Sequence, residues 1–150
     1  MRRAFVAGML AAGVIGGALA FAGPASAGGR PCGPEVSTSG VGTLGSSYTL
    51  KSKHDDDGPG GSLVEGEEFE INVPAGQVWQ VTFADNGTVF FDQPSVSGPH
   101  GTPPKIGVRE VHAAPNQPGT QHMTVHAVSQ STGETIDAFV NVPPAPNCGK

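Results

Sequence analysis

Charge, cysteine and aromatic side chains are all scarce in this chain. Its 150 residues include two cysteines, one tryptophan and one tyrosine, and charged residues make up 14%. Basic residues are the rarest charged class, eight Lys and Arg against thirteen Asp and Glu. Arg2 and Arg3 lie in a leader argued below to be removed, which leaves an acidic chain that neither nucleic acid nor an anionic lipid surface would attract. No amphipathic helix is legible after that leader, and no Gly-x-Ser-x-Gly nucleophile elbow occurs. The serines cluster in flexible segments, and adjacent carboxylates such as Glu67 and Glu68 point to opposite faces of a strand, which is no acid/base couple. The reading is therefore not an enzyme, with no catalytic residue and no cofactor.

What is present begins with a three-part export signal. Met1-Arg2-Arg3 precedes an apolar, Ala/Gly-rich run from Ala4 to Phe21, and Ala25-Ser26-Ala27 supplies a small-x-small cleavage site. A permanent membrane anchor is the alternative, and Gly13, Gly16, Gly17 and the prompt cleavage site argue against it. Arg2-Arg3 before Phe5 and Val6 faintly resembles a twin-arginine signal, but no Ser or Thr precedes the pair, which favours the general route. The mature chain would be residues 28–150, one domain, secreted or at the cell surface. In that oxidising setting Cys32 and Cys148 are expected to form one disulfide, which needs the two chain ends side by side. Two free thiols or a bridge between molecules are the alternatives.

Along the mature chain, residues 28–45 are rich in Gly, Pro, Ser and Thr and read as an extended leader with little core of its own. The domain proper is placed at residues 46–142, followed by a Pro-rich tail, 143–150, that carries Cys148. Tyr48 and Leu50 share one face of a first strand ending at Lys51-Ser52-Lys53, and His54 to Gly61 reads as a loop. Phe69, Ile71 and Val73 alternate with Glu68, Glu70 and Asn72, the period of a half-buried strand. Trp79, Val81 and Phe83 define the next strand, Asp85-Asn86-Gly87 a hairpin turn, and Val89 to Phe91 its return. A loop dense in Pro and Gly spans Pro94 to Pro104, and Ile106 to Ala113 is a further strand. Met123, Val125 and Ala127, then Ile136, Ala138 and Val140, give the inward faces of the last two. About seven short strands with frequent turns and one central Trp describe an all-β, immunoglobulin-like β-sandwich, with a small β-barrel as the alternative.

Gly66-Glu67-Glu68-Phe69-Glu70-Ile71-Asn72-Val73-Pro74, followed by Gly76-Gln77-Val78-Trp79, resembles the chagasin-like inhibitors of papain-family cysteine proteases. Gly107-Val108-Arg109-Glu110-Val111-His112 with Pro118-Gly119-Thr120 resembles that family's later strand, turn and strand. The resemblance runs from about Ser46 to Val142 and implies a sandwich whose three loops at one end wedge into a protease cleft. Those loops would be Pro74-Ala75-Gly76-Gln77, the segment from Ser97 to Gly107 with Gly98, His100, Gly101 and Gly107, and the segment from Ser129 to Gly133 with Ser129, Gln130 and Ser131. The loop motifs depart from the family. Ala75 joins Pro74 to Gly76 where Asn-Pro-Thr-Thr would stand, no Gly-x-Gly-Gly run lies between Gly98 and Gly107, and Ser129-Gln130-Ser131 occupies the place of Arg-Pro-Trp. The implied partner is a peptidase or a surface protein, bound by a monomer. The alternative function is a secreted structural or adhesion module of unknown ligand.

Three other features invite chemistry. His122-x-x-x-His126 has zinc-binding spacing on a helix, but on a strand the two Cα atoms stand about 13 Å apart at ~3.3 Å per residue. They are expected to be exposed strand histidines, with His112 an unforced third ligand. His54-Asp55-Asp56-Asp57-Gly58 is oxygen-rich but lacks the alternating Asp-x-Asp-x-Asp-Gly calcium pattern, and reads as a solvated acidic turn, so no metal site is expected. Trp79 reads as a core plug, and Asn86-Gly87-Thr88 as a glycosylation sequon.

Overall fold

A computed structural model describes residues 32–56 and 58–144. The export signal, Asp57 and the tail with Cys148 lie outside the described residues. Among the described residues nine strands form: β1 (Val36–Val41), β2 (Ser47–Asp55), β3 (Val64–Asn72), β4 (Val78–Asp85), β5 (Thr88–Val96), β6 (Gly98–His100), β7 (Lys105–Pro115), β8 (Gln121–Ser129) and β9 (Thr135–Val142). They make two antiparallel sheets, a five-stranded one in the order β1-β2-β3-β7-β6 and a four-stranded one in the order β5-β4-β8-β9. The chain changes sheet at β3–β4, β5–β6 and β7–β8, so every sheet contains strands distant in sequence. The all-β sandwich expected from the alternation is the one that forms.

Hydrophobic alternation sets the register, because a slip of one residue would turn each inward side chain out to solvent. Leu50, Phe69, Ile71 and Val108 from one sheet meet Trp79, Val81, Phe83, Met123, Val125, Ala127 and Ile136 from the other, all buried. Phe83 stands at the centre. It meets Phe69 edge to face, with ring centroids 6.4 Å apart, and Phe90 and Phe91 pack against it at 5.9 and 5.5 Å. Trp79 is a core residue, as its phase with Val81 and Phe83 requires. Its indole N–H reaches Gln77 Oε1 at 3.4 Å. The β4–β5 hairpin closes on Asn86 and Gly87, with φ of 47° and 81°, the left-handed pair that an Asn-Gly turn accommodates.

Three expectations need correction, and one gains detail. The leader is extended, as its composition suggested, and part of it is an ordered strand: β1 pairs along its length with β2, and Val36 packs against the core. Tyr48 makes this possible, because its ring lies over Gly40, where a Cβ would come within 2.8 Å of the Tyr48 hydroxyl oxygen. The first strand does not stop at Lys53 but runs through His54 and Asp55, which pair with Glu65 and Val64. The segment from Pro94 to Pro104 is not all loop, because β5 continues to Val96 and β6 pairs Gly98 with Gly107 and His100 with Lys105. The strand count among the described residues is accordingly nine rather than about seven.

Candidate functional site

The turn after β3, the β5–β6 junction and the turn between β8 and β9 meet at one end of the sandwich. Ser97 is the joint. Its N–H donates to Gln77 O at 2.8 Å, and its hydroxyl donates to Pro74 O at 2.7 Å. In return Gly76 N–H donates to Ser97 O at 2.9 Å, and Gln77 N–H donates to Ser97 Oγ at 2.8 Å. The third segment joins through Gln130 N–H, which donates to Val78 O at 2.9 Å. Gly76, with φ of 86°, supplies the left-handed residue this tight turn needs. Between these segments lies an open groove of about 360 Å³, lined by Pro74, Ala75, Gly76, Gln77, Gln130 and Ser131. All of these side chains are uncharged.

The other residues singled out for binding fall into two groups. Gly98 and His100 lie on β6, and Gly101 turns the chain with φ of 75°. His100 Nδ1 stands 3.9 Å from Glu70 Oε1, and the residue does not line the groove. Gly107 is buried within β7, where an added Cβ would fall 1.9 Å from Ile71 O, so it serves strand packing and not contact. Ser129 is buried as well, its hydroxyl accepting from Thr132 N–H at 3.3 Å. The groove therefore gathers Pro74 to Gln77 with Gln130 and Ser131, while Gly107 and Ser129 are buried and do not line it.

Sequence reasoning missed a fourth segment at this end. Glu134, 4% exposed, reaches under the β1–β2 turn, where Oε1 accepts from Ser46 N–H at 2.8 Å and Leu44 N–H at 3.2 Å, and Oε2 accepts from the Ser46 hydroxyl at 2.7 Å. Burial pushes its carboxyl up, but these donors outweigh it and hold Glu134 below the usual carboxylate range. Gly42 is fixed beside it, because a Cβ there would meet Glu134 Oε1 at 2.6 Å. A Glu after a Gly in a turn gave no local sign of this role.

The opposite end holds a second cluster. His54 Nδ1 lies 2.7 Å from Glu65 Oε2, and its Nε2–H donates to Pro143 O at 2.8 Å. His54 and Asp55 are thus buried, which corrects the expected solvated acidic turn. The reason is register: β2 pairs His54 with Glu65, so the histidine turns inward with Leu50 and Ser52. His122 and His126 are exposed on β8 and bond across to β9, to Asn141 and Asp137, each at 2.7 Å. His112 lies in the other sheet, stacked on Phe91 and 2.8 Å from Glu110. Among the described residues no group of three His, Cys, Asp or Glu side chains is placed to hold a metal ion. The sequon residue Asn86 uses its side chain locally, accepting from His122 N–H and donating to Gln117 Oε1.

No protein-family model, curated protein or solved structure matches this chain.

Proposed function

We propose that this chain is an exported, non-enzymatic binding domain that seats a protein partner on the groove end, in the manner of a chagasin-like inhibitor of cysteine peptidases. The observation that carries the reading is the brace at Ser97, which locks Pro74 to Gln77 by four hydrogen bonds before any partner arrives. A loop already held in one shape loses little conformational freedom on binding, and that favours affinity. Uncharged amides at Gln77 and Gln130, with Pro74 and Ala75 beside them, suit the extended backbone of a peptide-binding cleft.

Export and a Cys32–Cys148 disulfide belong to the same proposal. His54 supports it from the structural side: its carbonyl accepts from Cys32 N–H at 3.0 Å, while its ring holds Pro143 O. Cys32 and Pro143, which precedes Cys148 by five positions, thus meet at one residue, and that favours the bridge. In the chain-entropy picture a loop of this length contributes roughly 4 to 5 kcal/mol.

The test is a titration of papain with the oxidised, secreted protein. Reversible inhibition at micromolar concentration or below, weakened at least tenfold by Gln77→Ala, is the expected result. No inhibition at that level overturns the peptidase reading, and an adhesion module would take its place.

A further inference from the structure

Four ionisable side chains sit between the sheets at the end away from the groove, and the proposed binding reading uses none of them. Glu65 and Glu67 continue the inward face of β3 beyond Phe69 and Ile71, and are 0% and 1% exposed. Asp85, at the end of β4, is 1% exposed. His54 completes the group from β2.

Their partners are unequal. Glu65 is served by the Ser52 hydroxyl at 2.5 Å and by His54 at 2.7 Å. Asp85 Oδ2 accepts from Gln121 Nε2 at 2.6 Å and from Gln117 Nε2 at 2.8 Å, and Oδ1 has no hydrogen-bond partner among the described residues. Neither oxygen of Glu67 has one. The remaining titratable groups on neighbouring strands offer Glu67 no cation. His112, opposite it on β7, is engaged with Glu110, and Asp55 on β2 is engaged with Lys53 at 3.3 Å. An ionised Glu67 would be a desolvated, unpaired charge beside two more carboxyl groups, the costliest state a buried side chain can take.

We infer that His54, Glu65, Glu67 and Asp85 form a proton-loaded lock, in which Glu67 binds a proton as the sandwich closes and releases it to solvent when alkaline medium opens this end. Burial, and then repulsion from Glu65 and Asp85, push the Glu67 carboxyl up to about 9, and burial raises Glu65 as well. In the unfolded chain Glu67 ionises in the ordinary carboxylate range. The folded state therefore binds more protons than the unfolded state across that interval. The contribution of Glu67 to stability is full in acid and is lost as the pH rises from about 4.5 to about 9. Over that interval one proton taken up on folding raises the unfolding equilibrium constant about tenfold per pH unit.

Urea melts of the oxidised, secreted protein between pH 5 and pH 9 read the slope directly. Glu67→Gln keeps the side chain's shape and removes its titration. The expected result is a wild-type slope steeper than that of Glu67→Gln by about one proton, the slope left in the variant belonging to Glu65 and the other titrating groups. An equal slope in both proteins overturns the inference. Should Glu67→Gln fail to fold, carbon-13 titration of the Glu67 carboxyl in the wild type decides, and a midpoint in the ordinary carboxylate range overturns it. Calcium that stabilises the wild type but not Glu67→Gln would mean that the carboxyls take a cation and not a proton, which also overturns it.

Discussion

Gln77 and Ser97 grip each other twice, since Gln77 N–H donates to the Ser97 hydroxyl and Ser97 N–H donates to the Gln77 carbonyl, both at 2.8 Å. The hydroxyl in turn donates a hydrogen bond to Pro74 O. Ser97→Ala removes two of these bonds and leaves the partly buried Gln77 N–H without its acceptor. A loss of about 1 to 3 kcal/mol is expected from urea denaturation. Amide exchange at Gln77 should quicken with it, and any partner affinity should fall further than the stability.

Gly107 tolerates no side chain. An added Cβ would overlap Ile71 O, a backbone atom fixed in the β3–β7 ladder, so the strands must part. Gly107→Ala is expected to destabilise the fold by about 3 kcal/mol, measured as a lower urea midpoint. Gly45→Ala, in a turn with nothing within 4 Å of the new Cβ, separates backbone strain from collision, and its cost should be smaller despite a φ of 104°.

Glu134 serves the β1–β2 turn as an ionised acceptor. Its folded pKa lies below the unfolded value, so its contribution is present above the ordinary carboxylate range and fades as the pH falls through the folded value. Glu134→Ala should cost about 1.5 to 3 kcal/mol at pH 7, from hydrogen bonds to a charged group. The difference from wild type should shrink in acid, which is the opposite trend to that expected at Glu67.

Trp79 and Phe83 are both fully buried. Trp79→Ala should cost about 3 to 5 kcal/mol by removing buried apolar surface and leaving a cavity. By contrast Asp137→Ala, which breaks only the exposed pair with His126, should change stability by less than about 0.5 kcal/mol. Thermal melts of the two variants side by side check both.

The fold was legible where side chains alternate cleanly. Phe69 and Ile71, Trp79 to Phe83, and Met123 to Ala127 all face the core as their spacing requires. Two features hid from that reading for the same physical cause: the deciding partner lies elsewhere in the chain. The alternation through Phe69 continues backward to Glu67 and Glu65, but acidic residues on an inward phase do not declare themselves without His54 and Ser52 across the sheet. Likewise β1 is built from Ser, Thr and Gly, and it becomes a strand because Tyr48 covers Gly40. At the groove, Gly76 marked a turn, but Ser97 as its brace could be found only once β5 had returned alongside β4.

Cys32 and Pro143 both meet His54, at the end of β2 opposite the groove. Eight residues of β3 separate the Glu65 level from the turn at Val73, about 26 Å at ~3.3 Å per residue. A molecule tethered at Cys32 or at Pro143, to a resin, a surface or a fused protein, would therefore hold the groove outward like the head of a nail, about the length of β3 away from that attachment point.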